Sequence, residues 1–237
     1  TEFLFDGEYS FSVYGVLKAE GTQLDSIIFD NYGTEYWKGF TLYNQTESTV
    51  FDYAVIKGAR KEYGGGFHMV NSDPIFRHSL ITRNEATYGV SNCWEIGGST
   101  MYLQGSNPSF YNVLFLENGV DFENCSLFYL VDSHATFVNV TMYENPTFFP
   151  GQEPKVIKAL YSGVTIINSI LWSEYSGDIF GILGGFIHSN TNSYTIKNSN
   201  IKYAGSQYYL GENNMGENPQ FVDQENGDFN LQVMSPC

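Results

Sequence analysis

Hydrophobic and polar positions of this chain recur in one fixed template. Apolar residues alternate with polar ones over runs of three to five residues, and alternation with period two predicts short β-strands. Six stretches share the template without a gap, and their starting points lie 25 to 34 residues apart: 42–56, 67–81, 101–115, 128–142, 157–171 and 187–201. A strand template that recurs at this spacing predicts a repeat architecture in which each unit packs on the next.

Stacking the six stretches produces columns of similar residues. One column is entirely apolar and predicts an interior ladder: Phe51, Phe76, Phe110, Phe137, Ile166 and Ile196. Two positions further along, a mostly polar column predicts a second inward ladder of buried hydrogen-bonding groups: Tyr53, His78, Asn112, Asn139, Asn168 and Asn198. Gly, Pro, Asn, Asp and Ser bound the strands, as turns require. These features together predict an all-β fold, a parallel β-helix in which coils stack about 4.8 Å apart.

The template predicts one domain over residues 1–237, because no linker composition interrupts it. Residues 1–41 read as irregular first coils, 42–210 as regular coils, and 211–237 as a terminal cap. On this division the solenoid is expected to have about seven or eight coils.

The C-terminal segment carries a motif of a known family. It reads N-P-Q-F-V-D at 218–223, N-G-D-F-N-L at 226–231 and S-P-C at 235–237. This closing motif resembles bacterial right-handed parallel β-helix proteins of the pectate-lyase-like superfamily, which are often secreted or attached to the cell surface. The resemblance implies a right-handed coil and an extracellular or cell-surface location. It implies no particular chemistry, because that superfamily is defined by its scaffold.

Motifs that would carry catalysis are absent from the sequence. The clustered aspartates of polygalacturonase-like hydrolases and the arginine arrangement of pectate lyases do not occur. General acid–base work needs groups within hydrogen-bond reach, and one stretch holds the residue types: Arg60, Lys61, Arg77 and Arg83 near Glu62, Asp73 and Glu85. A solvated loop is the other interpretation of that stretch, and we predict no catalytic residue.

A column of rings and cations is the main candidate for binding. Alternation predicts that its members point outward on one face, because their neighbours point inward: Tyr43, His68, Tyr102, Tyr129, Lys158 and His188. Sugar rings stack on exposed aromatic faces, so the column is a candidate glycan-binding track. A contact with another protein, or lateral self-association, is the second interpretation. Coverage by a loop of this chain is the third.

The chain is strongly acidic, with 11 basic and 26 acidic residues and a net charge of −15. This balance disfavours nucleic acid and anionic membranes as partners, since both need Lys and Arg. An acidic polysaccharide would be repelled unless a cation such as Ca²⁺ intervened. The acidic turn at 223–228 only superficially resembles a calcium loop, and the four histidines lack metal-site spacing. We therefore predict no metal site and no cofactor, with Ca²⁺ the one cation that remains an alternative.

Cysteines and glycosylation sequons give three further candidate sites. Cys93 and Cys125 lie about one coil apart and are a candidate disulfide, with buried free thiols as the alternative. Sequons occur at Asn44, Asn124 and Asn139, about as often as chance predicts. Asn124 is the candidate glycosylation site, because Asn139 falls in the column that is expected to point inward.

No apolar run reaches the roughly 18 residues of a transmembrane helix, and a chain that begins with Thr is typical of a processed secreted protein or of a fragment. The first function hypothesis is thus a non-catalytic secreted or cell-surface rod, acting as an adhesive element or filament subunit that binds itself or other surface proteins. The alternative is a polysaccharide-binding module, or a lyase or glycosidase, on the same scaffold.

Overall fold

The computed structural model describes residues 1–45, 47–87, 98–119, 126–145, 156–172, 193–202 and 211–237. These residues form an all-β parallel solenoid of about five turns with three parallel sheets. Every pairing within the three sheets is parallel, and each strand pairs with its counterpart in the previous and the next coil. The prediction of a parallel β-solenoid is confirmed.

Along the chain, the described strands fall in the order sheet I, sheet II, sheet III in each successive coil. Sheet I has six strands: β2 (Phe11–Val13), β5 (Phe40–Tyr43), β9 (Phe67–Val70), β13 (Gly98–Gln104), β16 (Ser126–Val131) and β19 (Ile157–Leu160). Sheet II has seven strands: β3 (Lys18–Glu20), β6 (Val50–Asp52), β10 (Ile75–Arg77), β14 (Ser109–Tyr111), β17 (His134–Val138), β20 (Gly163–Ile167) and β22 (Tyr194–Lys197). Sheet III has eight strands: β1 (Glu2–Phe5), β4 (Ile27–Asn31), β7 (Ala54–Lys57), β11 (Leu80–Thr82), β15 (Leu114–Leu116), β18 (Thr141–Tyr143), β21 (Ile170–Trp172) and β23 (Asn200–Ile201).

The core is a set of ladders that run along the solenoid axis. Phe51, Phe76, Phe110 and Phe137 are fully buried, and their rings stack 4.8 to 5.0 Å apart, centroid to centroid. The strand register then places Ile166 and Ile196 on the same ladder. The predicted apolar column is therefore confirmed, and the coil spacing equals the optimal spacing of stacked rings.

The register of the first regular coil differs from the gap-free prediction. Thr41 pairs with His68, and Tyr43 pairs with Val70, so β5 is displaced by two residues from its predicted position. Phe40 lies eleven positions before the next ladder residue, Phe51. In the following coil, Phe67 lies only nine positions before its counterpart, Phe76. The turn that follows β5 is therefore two residues longer than the turn that follows β9. Because the insertion has an even length, inward and outward positions still alternate, and the sequence pattern does not reveal it.

The corners of the coil follow one rule, and it corrects the prediction for the polar column. His78, Asn112, Asn139, Asn168 and Asn198 have positive φ values of 45 to 55° and are exposed. A left-handed residue interrupts the strand alternation, so its side chain points outward and the next residue points inward. Asparagine tolerates this conformation better than most residues, which explains the column. The prediction that these residues form a buried ladder is wrong, and so is the argument that Asn139 is too buried to carry a glycan.

Small polar residues that directly follow the left-handed corners fill the interior instead. Ser72, Ser106 and Ser133 are buried, and each backbone N–H donates to the serine hydroxyl of the next coil over 3.0 to 3.1 Å. After sheet III, the backbone N–H of Asn84 donates to the side-chain oxygen of Asn118 at 3.1 Å. The backbone N–H of Asn118 donates in turn to that of Asn145 at 3.0 Å. These ladders satisfy backbone donors that would otherwise be buried without a partner.

The remaining elements lie outside the three sheets. β8 (Arg60–Lys61) and β12 (Glu85–Ala86) form a short parallel pair between sheet III and sheet I. Near the C-terminus, β24 (Phe221–Asp223), a 3-10 helix (Gln224–Asn226) and β25 (Asp228–Leu231) form an antiparallel hairpin. Its Phe221 and Phe229 rings contact Tyr143 at 5.6 and 5.2 Å, so the family-like motif packs against the side of the coil.

Candidate functional site

The candidate site lies on the outward face of sheet I. Five consecutive strands place one column of side chains there, which we call the sheet I stripe: Thr41, His68, Tyr102, Tyr129 and Lys158. At about 4.8 Å per strand the stripe is about 19 Å long, the length of a short oligosaccharide or an extended peptide.

Ring contacts join the stripe into one continuous surface. The His68 and Tyr102 rings meet edge to face at 5.0 Å, and the Tyr102 and Tyr129 rings meet at 5.5 Å with a tilt of 41°. At the far end, Lys158 Nζ lies 5.0 Å from the centre of the Tyr129 ring. Aromatic pairs and cation–π pairs in these geometries are each favourable, so the side chains of the stripe hold one another in place.

Tyr43 does not belong to the stripe, which corrects the prediction. Since β5 is displaced by two residues, Thr41 takes the predicted place of Tyr43 beside His68. Tyr43 points outward two positions further along the strand, where its ring stacks on the exposed Tyr14 ring at 5.1 Å. The Tyr43 and His68 rings are still neighbours, with centroids 6.5 Å apart, so Tyr43 extends the aromatic surface sideways.

Part of the stripe is covered. His68, Tyr102 and Lys158 are half-buried, and Tyr129 is only 3% exposed. Near the Thr41 end, the pair of β8 and β12 stands beside the stripe, and the Tyr63 ring lies 5.9 Å from the Tyr102 ring. The open face that the alternation predicts is therefore a partly enclosed groove at this end.

A glycine run explains how the chain approaches the stripe so closely. The backbone N–H groups of Gly64, Gly65 and Gly66 donate to Gly98, Ser99 and Thr100 of the next coil at 2.9 to 3.0 Å. A Cβ on Gly64 would meet the carbonyl oxygen of Phe67, and a Cβ on Gly65 would meet that of Glu85. Only glycine permits this contact, and it holds Lys61 and Tyr63 against the stripe.

Lys61 lies in this groove, although the sequence did not single it out as a ligand-binding residue. Its Nζ donates to the Thr41 hydroxyl at 2.6 Å. Burial, followed by the charge of the nearby Lys38 ammonium, lowers the pKa of Lys61 to about 8. The glycine run directly after Lys61 and Tyr63 was the available signal, because it indicated a close approach between chain segments.

His68 and Tyr102 are uncharged at neutral pH. Burial, followed by the charge of Lys61, lowers the pKa of His68 to about 4, and burial raises the pKa of Tyr102. Both therefore act as neutral hydrogen-bonding groups with apolar faces. The Tyr63 pKa is raised, mainly through its hydrogen bond with Glu62.

The acid–base constellation that the sequence suggested is dispersed. Arg83 pairs with Glu117 at 3.0 Å and Asp73 accepts from the Asn107 amide. Arg60 Nε lies 3.5 Å from Glu85 Oε1, and its guanidinium covers the Tyr36 ring at 5.0 Å. Of that group, the structure brings Lys61 into the groove, and beside it Glu62 forms a hydrogen bond with Tyr63.

Several predicted sites lie outside the described residues: His188, Asn124, Cys93 and Cys125. Cys237 is described and has a free thiol, which accepts a hydrogen bond from Asn200 Nδ2 at 2.9 Å. In the described ranges no three His, Cys, Asp or Glu side chains come together as metal ligands. No helix among those residues has the length and apolar character to cross a membrane.

Comparisons with known proteins add little to this geometry. No protein-family model matches the chain, and no curated protein matches it. A trypsin-treated form of QnrB1, a plasmid-mediated fluoroquinolone resistance protein, is a solved structure with 13% sequence identity and a TM-score of 0.17. The match covers 87% of this chain and 91% of that chain. A likeness this weak carries no functional inference, and the site has to be interpreted from its own residues.

Proposed function

We propose that this chain is a non-catalytic rod at the cell exterior that adheres to carbohydrate through the sheet I stripe. The observation that carries the proposal is the unbroken series of contacts from His68 through Tyr102 and Tyr129 to Lys158 on four consecutive strands. Rings with apolar faces suit the C–H faces of sugars, and neutral imidazole and phenol groups suit their hydroxyls.

Binding is favoured over catalysis by the protonation states in the groove. Glycoside hydrolysis uses two carboxyl groups that flank the scissile bond. The described groove residues offer a neutral His68, protonated tyrosines and Lys61, and no carboxylate forms an ion pair with Lys61 there. A lyase or glycosidase on this scaffold remains the alternative proposal.

The finer features of the fold and its location belong to the same proposal. Right-handed winding and export to the cell exterior rest on the resemblance of the C-terminal motif at 218–237 to secreted β-helix proteins, and the count of seven or eight coils rests on the repeat template. A rigid solenoid suits an adhesive role, because its surface positions are fixed by the ladders beneath them.

The test is a glycan array probed with the wild-type chain and with Tyr102→Ala. We expect selective binding by the wild type and loss of at least about ten-fold in affinity for the variant, because a stacked aromatic ring contributes roughly 1–3 kcal/mol. Tyr111→Ala, an exposed tyrosine on sheet II, is the matched control and should bind normally. Retention by Tyr102→Ala would rule out the stripe, and release of reducing sugar from a bound glycan would favour the enzyme alternative.

Self-association is the second candidate function, and the first coils favour it. The side chains of Leu4, Tyr9 and Tyr14 are 48%, 64% and 74% exposed, and contiguous exposed apolar surface is typical of protein contacts. Negative-stain electron microscopy of the native chain would show filaments or end-to-end rods on this hypothesis. Dispersed single rods at high concentration would remove it.

A further inference from the structure

Lys61 is half-buried but has no carboxylate partner among the described residues, whereas the described Lys18 and Arg77, which also form no ion pair, are exposed. Ion pairs with carboxylates neutralise four of the other cations, at 2.8 to 3.0 Å: Lys38 with Glu8, Lys57 with Asp30, Arg83 with Glu117 and Lys197 with Glu212. Lys61 forms no ion pair in the part of the chain that the structure describes, and its hydrogen bond goes to the neutral Thr41 hydroxyl. A half-buried ammonium without a counter-charge is costly.

The surroundings of Lys61 increase that cost. Lys38 lies close enough to disfavour its charge, while Glu8 is engaged with Lys38 at 2.8 Å. On β9 the facing His68 is neutral at physiological pH. The neighbouring Glu62 carboxylate bonds the Tyr63 hydroxyl. On the paired strand β12, the Glu85 carboxylate lies 3.5 Å from Arg60 Nε. Among the described residues, none of these carboxylates therefore forms an ion pair with Lys61.

We infer that the Lys61 end of the stripe is an oxyanion subsite, which accepts a carboxylate, sulfate or phosphate substituent of the bound glycan. The inference rests on the proposed function, since it names the class of sugar that the groove receives. Lys61 Nζ has two N–H donors besides the one given to Thr41. The neutral His68 ring lies close enough to Lys61 to be affected by its charge, and the Tyr102 ring meets the His68 ring edge to face at 5.0 Å. An incoming oxyanion would therefore receive charge-assisted hydrogen bonds in a partly desolvated groove.

The net charge of −15 does not oppose this local arrangement. Repulsion between exposed charges decays within about 8 to 10 Å at physiological salt, whereas a direct contact in a half-buried groove is screened much less. The acidic surface then selects against anionic glycans that cannot place a group on Lys61. The general expectation of repulsion therefore does not apply within this subsite.

The test compares binding of three probes by isothermal titration: neutral dextran oligosaccharide, dextran sulfate oligosaccharide and oligomannuronate. We expect the wild type to prefer at least one anionic probe, and Lys61→Met to lose that preference by roughly ten- to a hundred-fold, as expected for a charge-assisted hydrogen bond. Lys61→Arg should retain most of it. Lys57→Met, which removes an equally long lysine on sheet III, is the control and should bind as the wild type does.

The three probes also separate the possible anions, with inorganic phosphate as a fourth arm. Anionic binding should weaken as the pH rises through about 8, where Lys61 loses its proton, whereas neutral binding should not change. Equal binding of all probes by wild type and Lys61→Met would overturn the subsite and leave the glycan function standing.

A second measurement keeps the inference testable if no glycan binds. Lysine Nζ signals followed by NMR should shift at Lys61 alone on addition of sulfate, glucuronate or phosphate, with a rise in the Lys61 pKa. Such a shift without glycan binding would retain the oxyanion subsite and refute the glycan function. No shift with any anion, together with no glycan binding, would overturn both.

Discussion

Two ring ladders run along this solenoid, and they behave differently although the same repeat creates both. Inside, the rings of Phe51, Phe76 and Phe110 stack with interplanar angles of 6° and 15°. Outside, the rings of the sheet I stripe meet at 87° and 41° and include a histidine and a lysine. Coil spacing alone therefore does not dictate ring geometry. Close packing imposes the stacked arrangement inside, whereas in the stripe the rings of His68 and Tyr102, which are half-buried, meet edge to face.

The largest effect expected from this comparison is on stability, when an interior ring is removed. Phe110 is fully buried between Phe76 and Phe137, so Phe110→Ala should cost about 3–5 kcal/mol of unfolding free energy through lost burial and a cavity. Tyr102→Ala, in the exterior ladder, should cost about 1 kcal/mol. Urea denaturation of both variants measures the difference. Similar losses would mean that the stripe is part of the structural core.

Replacing a buried asparagine should reduce stability somewhat less than removing an interior ring. Asn118 is fully buried, donates to the Ile81 carbonyl oxygen at 2.6 Å and accepts from the Asn84 backbone N–H at 3.1 Å. Asn118→Ala leaves those groups unpaired and should cost roughly 2–3 kcal/mol.

Asn139→Gly is the exterior counterpart, since glycine keeps the left-handed backbone and loses only an exposed bond to Asn112. Its cost should be about 0.5 kcal/mol. Thermal unfolding under one condition ranks the two variants, and a larger loss at the exterior position would contradict the assignment of the structural ladder to the interior.

The sequence predicted the fold better than it predicted the corners and the site. Phe76 and its equivalents recur at positions where the strand period is undisturbed, so the apolar ladder was readable directly. His78 and Asn112 lie where a left-handed residue reverses the facing of the chain, and periodicity carries no information about that reversal. The two-residue insertion after Tyr43 preserved the alternation, so it could not be detected and it misplaced that residue.

Lys61 shows a different limit of sequence reasoning. Its place in the groove depends on a backbone contact between the glycines at 64–66 and the next coil, over 30 residues away in sequence. The glycine run indicated a close approach somewhere, and only the register of neighbouring coils shows which side chains that approach brings together.

The pH dependence of stability gives a smaller effect, and it comes from His68 in the stripe rather than from the apolar core. His68 has a pKa of about 4 in the folded chain and about 6.5 in an unfolded one. The unfolded state therefore binds more protons between these values, and stability falls as the pH drops from 6.5 towards 4. After allowance for partial exposure, we expect a loss of about 1–2 kcal/mol from this residue. His68→Gln should lack that component, which paired denaturation curves at pH 7 and pH 4.5 would reveal; identical pH dependence in both chains would contradict it.

The smallest expected effect is a gain in stability when the charge of Lys61 is removed. Lys61 is charged at pH 7, and its folded-state pKa of about 8 lies below the ordinary lysine pKa of 10.5, so folding is opposed by the desolvation of an ammonium that forms no ion pair with the described residues. Lys61→Met keeps an unbranched side chain that is one atom shorter and removes the charge, and should stabilise the unliganded chain by about 1 kcal/mol at pH 7. Between pH 8 and 10.5 the unfolded wild type binds more protons than the folded one, so wild-type stability rises and the gap to Lys61→Met should close. Lys57→Met, which breaks the ion pair with Asp30, should gain nothing. If Lys61→Met is less stable than the wild type, the hydrogen bond to Thr41 gives Lys61 a structural role. If the variant is more stable and has lost anion binding, Lys61 is retained for its ligand at a cost to the stability of the fold.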